Sequence, residues 1–124
     1  MAEIKFNGIP LSNRSSLLDS FRAMQVIKLE GDIDEEALWD SLPDSVKTRF
    51  SRLDRGEPVS EKWDYLSWID AISNCAQSFD ELEINEEGSG ILYFEQLSWP
   101  SGGVEATEEI LRVHGGKIES NDAI

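Results

Sequence analysis

The sequence predicts an α+β fold, an antiparallel β-sheet with helices packed on one face, and three observations lead there. Apolar and polar residues alternate in short segments near both ends of the chain. Through the middle, apolar residues recur at three- and four-residue spacing instead, the period of helices. Two segments, ELEIN and GILYFEQL, flank the turn-forming EGSG and read as a β-hairpin.

The elements follow in order. EIKFNG (3–8) is a first strand ending in an Asn7-Gly8 turn, with a small hairpin into IPL as an option. Ser12 is the expected cap of a helix whose buried stripe is Leu17, Leu18 and Phe21. QVIKLEGD (25–32) carries Val26, Ile27 and Leu29 before a Gly-Asp turn and reads most simply as a second strand. Met24, Ile27 and Lys28 also fit a prolonged helix. Asp32 or Asp34 starts a helix through Leu38, Trp39 and Leu42, stopped by Pro43. From Asp44 a further helix carries Val46, Phe50 and Leu53 and ends at Gly56. Ser60 is expected to cap the longest helix, 61–78, with a wide apolar arc of Trp63, Leu66, Ile69, Ile72 and Ala76 beside Tyr65, Trp68 and Cys75.

In ELEIN, Leu82 and Ile84 face one way and Glu81 and Glu83 the other, as in a half-buried strand. GILYFEQL is apolar on both faces, Ile91, Tyr93 and Leu97 against Leu92 and Phe94, so it is expected to be an inner strand. A helix over 104–114 points Val104, Ile110 and Leu111 inward and leaves Glu105, Glu108 and Glu109 exposed near its start. Gly115-Gly116 stops it, and KIES is a last short strand before a frayed tail. This order contains a βα…ββαβ skeleton, a ferredoxin-like plan with a helical insert, in one domain spanning residues 1–124.

Charge is the abnormal quantity: the formal net charge is −14. Residues 1–62 hold 12 acids and 9 bases, residues 63–124 hold 13 acids and 2 bases. Such a field repels nucleic acid and anionic membranes and attracts cationic proteins. It also serves simply to keep a protein soluble. Met1 to Pro10 has one lysine and no apolar run, so no secretory leader is expected, and no stretch is apolar enough for a bilayer span. A lone cysteine, Cys75, leaves no internal disulfide framework and suits a reducing, cytoplasmic, bacterial setting.

Most chemistries lack their parts. One His and one Cys cannot assemble a structural zinc site. EGDIDEEAL resembles half of a calcium-binding loop, but Val26, Lys28 and Ala37 fall where oxygen ligands are required. Glu83, Glu86 and Glu87 would diverge into water rather than converge on a hard cation. His114 is the one imidazole available to a hydrolase, and it sits at a helix end where a dipole contact explains it. Cys75 lies among aromatic residues as an inert thiol would. SGG (101–103) opens a helix without the lysine of a phosphate loop. The basic run with Lys47, Arg49, Arg52 and Arg55 is flanked closely by acids, the pattern of a solvated helix face.

The acid-rich arm remains. Asp80, Glu81, Glu83, Glu86 and Glu87 fall within eight residues that hold no Lys or Arg. With Glu105, Glu108 and Glu109 they form the expected partner-binding surface, and Trp99 is its expected aromatic anchor. The reading is a non-enzymatic inhibitor or immunity-type protein that meets a basic protein partner, needs no cofactor or metal, and imitates the phosphates of a nucleic acid. Its alternatives are an interaction domain acting as a homodimer and a small hydrolase using His114.

Overall fold

Residues 2–98 and 103–123 are described in the computed structural model. Strand β1 (Ala2–Asn7) buries Ala2, Ile4 and Phe6 and turns Glu3 and Lys5 the other way, the alternation written in its sequence. Gly8, at φ +84°, bends the chain into Ile9, whose N–H donates to the Gly88 carbonyl at 3.1 Å. There is no hairpin into IPL. Pro10, not Ser12, stands at the helix N-cap, and helix α1 (Leu11–Glu30) follows at once.

Helix α1 absorbs the segment expected to be a second strand. Leu17, Phe21, Met24 and Ile27 lie buried at spacings of four, three and three residues, so the stripe continues without a break. Gly31, at φ +83°, then ends the helix by donating its N–H to the Ile27 carbonyl at 2.8 Å. The β-branched pair Val26-Ile27 favours a strand locally, but burial against the sheet and α4 outweighs that weak preference.

Helix α2 (Glu35–Ser41) is capped by Asp34, whose carboxylate accepts the Ala37 N–H at 3.0 Å. Helix α3 (Asp44–Lys47) is a single turn, shorter than its apolar spacing suggested. Beyond it the chain extends, Ser51 bridges in parallel to Asp64, and a 3₁₀ turn (Leu53–Arg55) leads to Gly56. Helix α4 (Tyr65–Asn74) starts later than expected because Asp64, not Ser60, caps it. The Asp64 carboxylate accepts from Ser67 N at 3.1 Å, Ser67 Oγ at 3.0 Å and Leu53 N at 2.9 Å. At 20 residues against 10, α1 rather than α4 is the long helix.

Strands β2 (Gln77–Ile84) and β3 (Gly90–Gln96) form the expected hairpin. Helix α5 (Val104–Val113) and strand β4 (Lys117–Asn121) complete the chain. The four strands lie in the order β2-β3-β1-β4 with every neighbour antiparallel. β3 is thus an inner strand, although Leu97 just beyond it is 60% exposed rather than inward. Residues facing the helices, such as Ile4, Phe6, Leu92 and Phe94, are buried with Trp68, Ile72 and Leu111 in one cluster. Each such side chain contributes about 1.5–3 kcal/mol through burial.

Candidate protein-interaction surface

Register places the acid-rich arm. Leu82 pairs with Leu92 over the core, so Glu81 and Glu83, their neighbours along β2, project from the opposite, open face. A bulge between Phe79 and Glu81 leaves Asp80 outside the regular pairing. Glu86 and Glu87 occupy the turn, where Asn85 Oδ1 accepts the N–H groups of Glu87 at 2.9 Å and Ser89 at 3.1 Å. All five carboxylates are exposed, and none forms an ion pair among the described residues. Arg14 reaches the turn but donates to the Glu86 carbonyl oxygen, at 2.7 Å.

Two residues that sequence reasoning did not single out join this face. Tyr93 is the cross-strand partner of Glu3 on one side and of Glu81 on the other. Its hydroxyl donates to Glu83 Oε2 at 3.1 Å. Burial of the ring pushes the phenol pKa up, and the bond to Glu83 with the charges of Glu83, Glu3 and Glu81 adds to the rise. One row further on, Ile91 lies between Lys5 and Glu83. Beside it a cleft of about 400 Å³ opens between Lys5, Glu83, Ile91 and Glu119. Alternation in AEIKFN put Glu3 opposite the core residues, but only pairing with β3 brings it to Tyr93.

Helix α5 does not extend this surface. It packs against β4, α4, α1 and α3, and β4 is the sheet edge opposite β2. Glu105 is exposed, but the side chains of Glu108 and Glu109 are only 16% and 15% exposed. Arg112 reaches both, at 3.3 and 3.8 Å, from four and three positions further along the same helix. Asn121 Nδ2 donates to Glu108 Oε2 at 3.1 Å. Burial raises the Glu109 pKa, against the attraction of Arg112. The expectation that these two glutamates stand exposed near the start of the helix is therefore corrected: Arg112 lies against both, and Asn121 of β4 holds Glu108. Trp99 lies outside the described residues.

One member of the basic run is folded inward. Arg52 is 1% exposed, its guanidinium centred 4.7 Å from the Trp39 ring and 5.1 Å from the Tyr65 ring. Nη2 pairs with Glu36 and with Asp54, each at 2.8 Å, and Nε donates to Asp54 Oδ1 at 2.9 Å. These bonds hold both carboxyl pKa values below the usual range. Arg49 donates to the Val113 carbonyl at 3.1 Å, at the negative end of α5. A solvated basic face was expected from spacing, and Arg49 and Arg55 are exposed in keeping with it, but the aromatic residues of α2 and α4 claim Arg52 for the interior.

The groups considered for catalysis are also interior. His114 has no exposed surface. Its Nδ1 lies 2.8 Å from the Ile110 carbonyl, which only accepts, so Nδ1 carries the proton and Nε2 accepts from Ser16 Oγ at 2.9 Å. Burial, with a smaller contribution from Arg49, pushes its pKa down to about 4 against the raising effect of the Ile110 bond. The imidazole ties α5 to α1. Cys75 is buried, and that burial raises its thiol pKa despite the nearby Lys28. No cluster of three metal-binding side chains occurs among the described residues. Among them, too, no helix is long and apolar enough to cross a membrane.

The chain matches no protein-family model, no curated protein and no solved structure.

Proposed function

We propose that the chain is a non-enzymatic acidic binding protein, of the inhibitor or immunity type, that neutralises a basic protein partner by electrostatic complementarity. One observation carries this reading: five carboxylates of the β2 arm and its turn stand exposed at a sheet edge without an ion pair among the described residues. Ionised carboxylates arrayed this way steer a cationic partner during encounter and then bond its Arg and Lys side chains. The net charge of −14 adds to the long-range attraction. His114, on which a hydrolase would depend, is sealed from solvent.

We read the sheet as ferredoxin-like, a reading supported by the antiparallel order β2-β3-β1-β4, and the setting as cytoplasmic, which suits a lone thiol. The homodimer alternative has its own support in Leu11, Leu18 and Leu29, exposed 74%, 38% and 85% along one side of α1. Their spacings of 7 and 11 residues keep them on one helix face.

Capture from cells at low ionic strength, with Glu81, Glu83 and Glu86 reversed to Lys in a second bait, tests the main reading. A basic protein that the reversed bait fails to hold, and that salt releases, supports it. Capture indifferent to salt and to the reversal refutes it. A dimer in sedimentation that survives high salt favours the alternative.

A further inference from the structure

We propose that the uncovered face of the sheet, centred on Tyr93, is the docking surface itself and takes an arginine side chain of the partner. This rests on the binding reading above and deepens it by naming the site and the group it receives.

Among the described residues no helix or loop covers this face. Ile91 and Tyr93 are half-buried there, while Leu92 and Phe94, on the other side of the same strand, are fully buried. The ring of Tyr93 lies in a cross-strand row between Glu3 and Glu81, and Glu83 holds its hydroxyl. Adjacent strands lie about 4.8 Å apart, so the flanking carboxylates stand about 10 Å apart across the ring. A planar cation laid on the ring meets a π-face below and carboxylates on either side. Guanidinium fits that description best, because it stacks on aromatic faces and forms paired bonds with carboxylates.

The molecule already contains a filled version of this arrangement. Arg52 sits over Trp39 and Tyr65 at 4.7 and 5.1 Å and pairs with Glu36 and Asp54 at 2.8 Å each. The Tyr93 site has the same components, an aromatic face and flanking carboxylates, without an arginine of its own chain among the described residues. Lys5, beside Ile91, makes the β1 side of the face less acidic. The partner segment therefore tracks over β2 and β3, where the charge is unopposed, with an apolar residue on Ile91 and its arginine on Tyr93.

The test uses the full chain and a short peptide of alternating arginine and leucine, with a peptide carrying neutral citrulline for arginine as control. Amide shifts on titration with the arginine peptide should concentrate at Glu3, Glu81 and 91–93, and the citrulline peptide should bind at least about tenfold more weakly. Tyr93→Leu, an exchange on a half-exposed face that leaves the core intact, should weaken arginine-peptide binding by about tenfold. Asp40→Asn with Glu57→Gln, two exposed acids outside the acidic arm, should change it less than about twofold. Shifts confined to residues 85–89, or equal binding by Tyr93→Leu and wild type, overturn the site. If salt-labile capture of a basic protein persists in that case, the function stands and only its location falls. Failure to bind the arginine peptide together with absence of salt-labile capture removes both.

Discussion

Acidification acts on this fold through His114. In the folded chain its pKa lies near 4, against 6.5 for the free group, because the ring is sealed between α1 and α5. Between those values the unfolded chain binds a proton that the folded chain refuses, so stability falls as pH falls. The contribution is complete above pH 6.5 and lost progressively toward pH 4. The shift corresponds to about 3 kcal/mol at 1.36 kcal/mol per pKa unit, of which about 2.5 kcal/mol should be gone by pH 4.5. Urea unfolding from pH 7 to 4.5, for wild type and His114→Gln, measures it. Groups common to both chains cancel in the difference, so the gap between the two stabilities should narrow by about that amount on acidification. The variant starts less stable, having lost a buried hydrogen bond. If it proves too unstable to study, the wild-type imidazole resonances serve instead and should stay unshifted until the pH nears 4. Parallel stability curves, or an imidazole titrating near 6.5, would refute the reasoning.

Three substitutions probe the packing that holds the surface in place. Arg52→Ala should cost about 2–4 kcal/mol in chemical denaturation, mainly from emptied volume, since Glu36 and Asp54 keep contact with water. Arg52→Lys should recover only part of this, because an ammonium cannot reproduce the two-sided fork. Asp64→Ala removes the α4 cap and the anchor of Leu53, and thermal unfolding should show a loss of about 1–2 kcal/mol. At Gly90, an added Cβ would stand 1.9 Å from the Glu83 carbonyl oxygen and 2.8 Å from Phe6 Cζ. Gly90→Ala should therefore displace the β2–β3 register, lower stability by about 1–3 kcal/mol and weaken hydrogen-exchange protection along the hairpin.

Legibility followed the range of the forces involved. β1, the hairpin and α5 were readable because a two- or three-to-four-residue period is a local property, visible without knowing what covers it. The end of α1 was not: Val26-Ile27 carries a strand preference of a few tenths of a kcal/mol, and the burial of Met24 and Ile27 outweighs it. The start of α4 moved from Ser60 to Asp64 because the latter's carboxylate also secures the distant Leu53 N–H. Among site residues, the five acids of the arm were visible as a charge run. Tyr93 and Glu3 were not, since 90 positions separate the members of that cross-strand pair.

From composition and pattern alone came the antiparallel hairpin, the mixed helix-and-sheet class, the acidity and the absence of familiar catalytic motifs. Tertiary structure decided which charges remain free. It drew Arg52 into an aromatic interior, set Asn121 of β4 against Glu108, and left Glu81 and Glu83 facing water beside Tyr93. Charge is counted along a chain, but whether it is neutralised depends on distances of a few ångströms, and strand pairing and helix packing between remote segments set those distances.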